Sequence, residues 1–322
     1  MEIPKSSKSR FRQYLEGKDL APATITNYIR YIDWFFKRVK TEAIQVTKPD
    51  ILNYLEHLKN SRKQQNITRQ NCLTALNHYF SFLYKSGKIT ENPCQFLKIR
   101  GTGKKKLHKI YTPEELDELC DNYYQLFVRN DENIHLETHN QLKQYALGRN
   151  RNAVIVSILA NQGIRTTEIN KIETNDLDLI KATLKIRSGK RLRERILPLK
   201  ATQIGLFFNY LQNIRPQLLE YQETESDKLF LSLPERGSKR TNRDTLEDVY
   251  YTLIRQIKTI DKQFFNFQQI RTSVITSWLK AYGLRKTQHL AGHRCISSTE
   301  KYLPNNLDNL IDDINKLHPF EI

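Results

Sequence analysis

The stretch Ala182-Thr-Leu-Lys-Ile-Arg-Ser-Gly-Lys-Arg-Leu-Arg-Glu-Arg-Ile-Leu-Pro-Leu199 decides the fold class. In Thr183–Arg187 polar and apolar side chains alternate, and a period of two is typical of a strand with one buried face. Ser188-Gly-Lys190 favours a turn, and Arg195–Leu199 would return as the second strand. The sequence therefore predicts a β-hairpin with Lys190 at or near its tip.

The hundred residues at the N-terminal end carry helical periodicity instead. We predict helices over residues 6–17, over about 18 residues from Pro22, from a cap at Thr47, and from about residue 66 to Gly87. The apolar face of the second helix consists of Ile25, Tyr28, Ile29, Ile32, Phe35 and Phe36. That of the third consists of Ile51, Leu52, Leu55 and Leu58, and that of the fourth of Leu73, Leu76, Phe80 and Leu83. These segments predict a compact all-α domain.

The remainder of the chain mixes helices with the hairpin. Thr112-Pro-Glu-Glu115 is a capping box, another helix ends at Gly163, and helices are predicted over 202–214, 243–259 and 268–282, with a further short strand at Leu229–Leu231. We therefore predict a mainly α protein with a small β-hairpin or sheet. Its parts are an all-α domain over 1–98, a basic linker over 99–108, and a mixed α/β domain over 109–322 with a helical tail.

The net charge points to a polyanionic partner. The formal net charge is +17, and residues 1–108, with 21 basic and 8 acidic side chains, carry +13 of it. Such a field favours nucleic acid, although a generic basic protein would share it. The predicted phosphate contacts are Arg62, Lys63 and Arg69, where the fourth helix begins, and Lys104, Lys105 and Lys106 in the linker. A solvated loop and an ordinary hinge are the alternatives.

Other classes of protein fit the sequence poorly. No apolar run is long enough to span a membrane, and the first residues lack a signal peptide's apolar core. The four cysteines are scattered, which favours a reducing compartment over a zinc site or a disulfide framework. We expect no metal and no cofactor.

Chemistry is suggested by Leu290-Ala-Gly-His-Arg-Cys-Ile-Ser-Ser-Thr-Glu-Lys-Tyr302, where a tyrosine follows a histidine by nine positions. A tyrosine hydroxyl is a poor nucleophile at neutral pH, because its ordinary pKa is near 10. It becomes useful where cations surround the phosphate that it attacks. Upstream, Arg165 and Glu168 are three positions apart, so that the carboxylate can orient the guanidinium.

Taken together, these motifs resemble the tyrosine recombinases, the phage-integrase and Xer-like group. The matching elements occur in the family's order over roughly residues 6–305. They are Gly163-Ile-Arg165-Thr-Thr-Glu168, Lys190 followed by Glu194-Arg-Ile-Leu-Pro-Leu199, Gln268-Gln-Ile-Arg271, Ala291-Gly-His293, Tyr302, and an N-terminal pattern of Thr24, Tyr28, Ile32 and Phe35.

The resemblance implies a function and a mechanism. Tyr302 would attack a DNA phosphodiester and form a 3′-phosphotyrosyl link, with Arg165, Arg271 and His293 as donors to the phosphate. Lys190 would protonate the leaving 5′-oxygen, and Glu168 would orient its neighbours. The family clamps double-stranded DNA between its two domains and assembles four protomers on two sites. The apolar stripe at Leu307, Leu310, Ile311 and Ile314 would then dock on a neighbouring protomer or on its own domain.

One position departs from the family's pattern. Gln268 stands where the family usually has histidine, and a glutamine amide can donate a hydrogen bond but cannot accept a proton at neutral pH. The Tyr302 proton would then go to His293, to His289 or to water, unless the enzyme is slower or the box is aligned differently.

The alternatives are a catalytically weak DNA-binding relative and a type IB-like topoisomerase. A bacterial cytoplasmic, nucleoid-associated location is expected. No obvious arm-binding domain is expected before residue 6, which favours a simple recombination site. Neither the DNA target, nor any accessory protein, nor the choice among integration, excision, inversion and resolution is readable from the sequence.

Overall fold

The computed structural model describes residues 5–101, 108–129, 139–189, 193–234, 238–241 and 245–303. The chain divides into two compact units, Met1–Lys106 and Leu107–Ile322. Helices dominate the described residues, and their three short strands form one sheet. The prediction of a mainly α fold with a small sheet is therefore confirmed.

The described part of the first unit is a bundle of four helices. Pro22 sits in the first turn of the second helix, and Lys40, in the left-handed conformation with φ of 58°, ends it. Phe35 lies at the centre of the shared core, where its ring packs edge-on against those of Tyr54 and Phe80. The helices are α1 (Lys5–Glu16), α2 (Pro22–Val39), α3 (Lys48–Asn60) and α4 (Asn66–Lys85).

One predicted core residue of α3 is wrong. Leu52 is 46% exposed, whereas Tyr54 is buried. Each helical residue is rotated by about 100° from the previous one. Leu52 therefore lies beside the stripe of Ile51, Leu55 and Leu58, while Tyr54, three positions after Ile51, falls on it.

The second unit combines helices with the sheet. Its helices, in the described residues, are α5 (Pro113–Tyr124), α6 (His139–Gln162), α7 (Thr166–Ile169), α8 (Ala201–Asn209), α9 (Arg215–Leu219), α10 (Glu247–Ile260), α11 (Phe267–Leu290) and α12 (Ser297–Glu300). The strands are β1 (Leu177–Asp178), β2 (Thr183–Ile186) and β3 (Arg195–Pro198).

Helix α6 forms the centre of this unit. Residues 151–160 are buried on every side, because α6 packs against α5, α8, α10 and α11. The capping box predicted at Thr112 is present in α5, where the Thr112 hydroxyl accepts the Glu115 N–H and Glu115 accepts the Thr112 N–H. Around this centre the unit builds a large apolar core.

The predicted hairpin is formed by β2 and β3. They pair antiparallel, with Thr183 opposite Pro198 and Ile186 opposite Arg195. The two-residue strand β1, too short to give a sequence signal, pairs with the other edge of β2. Lys190 lies outside the described residues.

The strand predicted at Leu229–Leu231 is wrong. The segment is buried but irregular, and in place of a strand ladder the Leu229 N–H donates to the Ile172 carbonyl. Its own carbonyls accept from side chains: Leu229 from the Tyr210 hydroxyl and Leu231 from Arg151. Side-chain donors thus take the place of a neighbouring strand.

Two predicted helices differ in length. The helix expected over 202–214 is α8 followed by a π-helical turn over Tyr210–Ile214. The one expected over 268–282 extends to Leu290, with a break at Gly283 where φ is 71° and ψ is −178°. No helix among the described residues has both the length and the apolar character needed to cross a bilayer.

Candidate active site

Arg165 and Glu168 lie in the turn after α6. Gly163 ends that helix with φ of +53°, and a Cβ there would lie 2.9 Å from the Cβ of Val274 on α11. Glycine therefore lets the turn approach α11 closely. The Glu168 Oε2 accepts the backbone N–H of Arg165 at 2.8 Å. This contact caps α7 and holds the carboxylate under the arginine.

Glu168 is buried among three guanidinium groups. Its Oε1 accepts from Arg195 at 2.7 Å, while nitrogens of Arg271 and Arg165 lie 3.8 and 3.9 Å from Oε2. Burial raises the pKa of this carboxyl, but the hydrogen bond and charge of Arg195, the Arg165 N–H and the charge of Arg271 together lower it below its ordinary value. The carboxylate is therefore ionised at neutral pH.

Arg271 projects from α11 into the protein interior and is 2% exposed. It donates to the carbonyl of Gly163 at 2.6 Å and to that of Ala291 at 2.9 Å, which ties the two ends of the site together. Burial and then the charge of Arg165 lower its pKa to about 10. The guanidinium is therefore protonated at neutral pH, as arginine is elsewhere.

His293 lies between Arg271 and Thr299. Its Nε2 is 3.3 Å from an Arg271 nitrogen, and its Nδ1 is 2.9 Å from the Thr299 hydroxyl. Because arginine has only donors, Nε2 accepts here, and we assign the ring proton to Nδ1, which donates to Thr299. Burial, and next the charge of Arg271, lowers the pKa of His293 to about 4. The imidazole is therefore neutral at neutral pH.

Tyr302 follows α12 and lies beside this cluster. Its ring is stacked on that of His293, with centroids 6.0 Å apart and planes 15° from parallel. It also packs on a small apolar cluster that includes Leu279 and Ala291. The hydroxyl accepts a long hydrogen bond, 3.5 Å, from the exposed amide of Gln268. The tyrosine is thus held on one face by histidine and at its oxygen by glutamine.

The structure therefore brings six of the seven predicted catalytic residues to one place. These are Arg165, Glu168, Gln268, Arg271, His293 and Tyr302. The seventh, Lys190, lies outside the described residues, as does the apolar stripe from Leu307 to Ile314.

Arg195 is a member of the cluster that the sequence did not single out. It opens β3, its side chain is 0% exposed, and it makes the shortest contact to Glu168. A signal was available, because the alternation of β3 turns residue 195 inward. Arginine at an inward position of a strand requires a buried acidic partner.

The cluster has more positive charge and more donors than its own acceptors can satisfy. Three guanidinium groups share one carboxylate. Four of their nitrogens are buried and find no acceptor among the described residues: NH1 of Arg165, Nε and NH2 of Arg195, and Nε of Arg271. Buried donors without partners are unfavourable, so the arrangement suits a bound anion with several oxygens. Within the described residues, no group of three or more histidine, cysteine or acidic side chains could hold a metal ion.

The predicted DNA contacts of the first unit differ in their surroundings. Arg62 and Lys63 are exposed. Arg69 is half-buried and donates to the Leu55 carbonyl at 3.1 Å and to Asn66 Oδ1 at 3.1 Å, so part of its donor capacity serves the fold. Lys104, Lys105 and Lys106 lie outside the described residues.

Known protein families match both parts of the chain. A model of the phage integrase family matches residues 133–308, and a model of the phage integrase N-terminal SAM-like domain matches residues 9–89. A tyrosine recombinase named XerC, from Anoxybacillus flavithermus, is 29% identical over 319 residues and is covered, like this chain, over 96% of its length.

Two solved structures are also similar. One is the Tn1549 transposon integrase in complex with a circular intermediate DNA, with a TM-score of 0.62, 14% identity and coverage of 97% of this chain and 99% of that one. The other is a lambda integrase tetramer bound to a Holliday junction, with a TM-score of 0.57, 15% identity and coverage of 90% and 77%. At such identities the likeness establishes the fold alone.

Proposed function

The chain belongs to the phage integrase family and is a tyrosine recombinase, and from this premise we propose that Tyr302 is the nucleophile with which it cuts and rejoins specific DNA sites. The observation that carries the proposal is the position of the Tyr302 hydroxyl. It lies beside a buried cluster with more guanidinium groups than carboxylates. A phosphodiester placed there would meet both its attacker and the charge that stabilises its transition state.

Arg165 and Arg271 form the proposed phosphate clamp. Arg165 and Arg271 each offer a planar fork of donors, which suits two nonbridging oxygens. Arg271 is held at both ends by the carbonyls of Gly163 and Ala291, so its orientation is set before DNA binds. Preorganised donors of this kind need no reorganisation during the reaction.

His293 contributes a third donor to the phosphate. That role requires the ring proton on Nε2, whereas the DNA-free contacts favour Nδ1. The Thr299 hydroxyl can donate to Nδ1 as well as accept from it. A phosphate oxygen near Nε2 therefore selects the tautomer with the ring proton on Nε2. A neutral imidazole is sufficient to donate this hydrogen bond.

The chemistry exchanges one phosphodiester for another. Tyr302 attacks phosphorus, its oxygen becomes bonded to the 3′-phosphate, and the 5′-oxygen leaves with a proton. Lys190 is the donor we propose for that proton, from its place between the strands β2 and β3. A 5′-hydroxyl from another strand then displaces the tyrosine, so the bond is conserved without a nucleotide cofactor.

The proposed partner is double-stranded DNA. The proposed location is the cytoplasm, on the bacterial nucleoid, and the proposed working assembly is a tetramer on two paired sites. The relatives support this proposal, since one solved structure contains DNA and another contains a tetramer on a Holliday junction. The positive charge concentrated in residues 1–108 suits the same partner. Exposed Arg62 and Lys63 are its proposed phosphate contacts in the first unit, with Lys104, Lys105 and Lys106 in the linker.

A nicked suicide substrate tests the function. A binding site is first selected from a random DNA library with the purified chain, and a nick is then placed beside the scissile phosphate so that the short leaving strand diffuses away. The wild type should accumulate a covalent protein–DNA adduct, and Tyr302→Phe should bind the same DNA without forming one. Absence of the wild-type adduct on a demonstrated binding site would reject the proposal.

A further inference from the structure

Arg195 presents a problem of charge that the proposed reaction does not by itself explain. In β3 buried and exposed positions alternate, and Arg195 occupies a buried one. Its side chain is 0% exposed and is paired with Glu168. A buried guanidinium is strongly unfavourable unless a carboxylate compensates it. The position therefore needs a reason beyond packing.

The distances around Glu168 supply one. Arg195 is 2.7 Å from Oε1, whereas the guanidinium nitrogens of Arg271 and Arg165 are 3.8 and 3.9 Å from Oε2. The same oxygen, Oε2, accepts the Arg165 backbone N–H at 2.8 Å. Both carboxylate oxygens are thus engaged by groups other than the two guanidiniums of the proposed clamp.

We propose that Arg195 is a positioning residue for DNA cleavage, which holds Glu168 so that this carboxylate does not pair closely with Arg165 and Arg271. The inference rests on the proposed function. A phosphate and Glu168 are competitors for the same two guanidinium groups, because each is an anion with a pair of oxygens. With Arg195 in place, Glu168 orients the clamp at nearly 4 Å and leaves its donors to the phosphate.

Removing the Arg195 charge should release the carboxylate. Arg165 and Arg271 would then be its nearest cations, each already within 4 Å. A shift of about 1 Å would close a hydrogen-bonded ion pair, since such pairs have heavy-atom distances of about 2.7–2.9 Å. The incoming phosphate would have to displace that pair, so cleavage would slow while DNA binding elsewhere on the protein would remain.

Arg195 also connects the hairpin to the loop that carries His293. The N–H of Arg193 donates to the Gly292 carbonyl at 3.1 Å. The Arg195 guanidinium lies directly against Gly292, where a Cβ would be 2.6 Å from its NH1. The side chain therefore contacts the Glu168 turn on one side and the histidine loop on the other.

The test is a double-mutant cycle on the nicked substrate. Arg195→Gln should lower the single-turnover cleavage rate by about 100-fold, the order of loss that a displacement of about 1 Å produces. The Kd for the DNA should change by less than about threefold, since Arg195 is not among the proposed phosphate contacts. Adding Glu168→Gln should then raise the rate by about tenfold above Arg195→Gln alone, because no carboxylate remains to occupy the clamp. A purely structural role predicts the opposite, a further loss.

A matched control separates this effect from the loss of any buried arginine. Arg151 is also buried, at 4% exposure, but it donates to the Leu231 carbonyl and to Asn152, away from Glu168. Arg151→Lys should lower the melting temperature and leave the cleavage rate unchanged. Equal slowing by Arg151→Lys and Arg195→Gln would overturn the proposal.

If Arg195→Gln does not fold, Arg195→Lys replaces it. Lysine keeps the buried charge but has one nitrogen in place of a fork. The rate should then fall about tenfold, and Glu168→Gln should restore part of it. A double variant slower than its Arg195 single variant, or a wild-type rate in the single variant, overturns the role of Arg195 in either background. Failure of the wild type to form any adduct would instead reject the proposed function.

Discussion

Gly292 is the backbone position on which the contact between the hairpin and the histidine loop depends most directly. Its φ is +68°, a region that residues with a Cβ rarely adopt. A Cβ added here would lie 2.6 Å from NH1 and 3.0 Å from Cζ of Arg195, and 3.2 Å from the Arg193 carbonyl oxygen. Gly292→Ala is therefore predicted to be destabilising and to displace the Arg195 guanidinium.

The size of the effect follows from two contributions. A non-glycine residue in the left-handed region costs about 1–2 kcal/mol, and overpacking of a buried contact costs about 1–3 kcal/mol more. The second contribution applies because Arg195 is fully buried and paired with Glu168, and cannot swing aside as a surface arginine would. The sum, about 2–5 kcal/mol, corresponds to a fall in melting temperature of about 4–20 °C for a unit of this size.

Gly87 provides the matched control for the backbone contribution. Its φ is +67°, and no heavy atom of the described residues lies within 4 Å of an added Cβ. Gly87→Ala should therefore lose about 1–2 kcal/mol and no more. Chemical denaturation of the full chain measures both, and single-turnover cleavage of the nicked substrate follows activity, which should fall about 100-fold in Gly292→Ala only.

The result that would refute this reasoning is equality of the two alanine variants. If Gly292→Ala lost no more stability than Gly87→Ala and cleaved DNA at the wild-type rate, the contact with Arg195 would have no energetic consequence. An intermediate result is informative when combined with Arg195→Lys. The shorter polar end of lysine should relieve the clash, so that the double variant is more stable than the sum of the singles predicts.

Three further predictions concern the histidine and the tyrosine. Unfolded His293 has a pKa near 6.5 but the folded residue has one of about 4, so the unfolded chain binds more protons between these values and stability is lost as pH falls from 6.5 towards 4. His293→Asn should flatten this loss in denaturation at pH 7.5 and pH 5, and an unchanged slope would contradict it. Thr299→Val removes the Nδ1 partner and should slow cleavage about tenfold, with a loss of stability of about 1–3 kcal/mol because a buried ring N–H is left without an acceptor; an unchanged rate would count against the tautomer assignment. Gln268→His introduces a proton acceptor beside Tyr302 and should give the cleavage rate a dependence on pH near about 6.5 that the wild type lacks; identical pH–rate profiles would oppose this.

Much of the fold could be predicted because its signals are local. The apolar stripe from Ile25 to Phe36 has helical periodicity, and it lies on helix α2 as predicted. The alternation from Thr183 to Arg187 has strand periodicity, and it forms strand β2 as predicted. The family assignment was likewise predictable, since it depends on the order and spacing of a few motifs, and it is confirmed by the family match. The fold class follows from both.

What the sequence did not reveal depends on partners far along the chain. Leu229–Leu231 has the composition of a strand, but its carbonyls are taken by Tyr210 and Arg151, which no local pattern reports. The alternation of β3 turns Arg195 inward, but only the fold identifies its partner as Glu168, 27 positions earlier. Gly292 looks like an ordinary loop glycine until the guanidinium beside it is known.

The same geometry narrows the fate of the Tyr302 proton. His293 has one ring nitrogen against Arg271 and the other against Thr299, and its pKa of about 4 makes it a weak base. Gln268 approaches the hydroxyl as a donor, and its amide nitrogen cannot accept the proton. His289 is exposed, on the last turn of α11, and among the described residues no hydrogen bond or ring contact joins it to Tyr302. Water is therefore the acceptor that best fits this geometry. In the proposed reaction the arginine clamp stabilises the phosphate, and an added base at position 268 should change the pH dependence of the reaction more than its maximal rate.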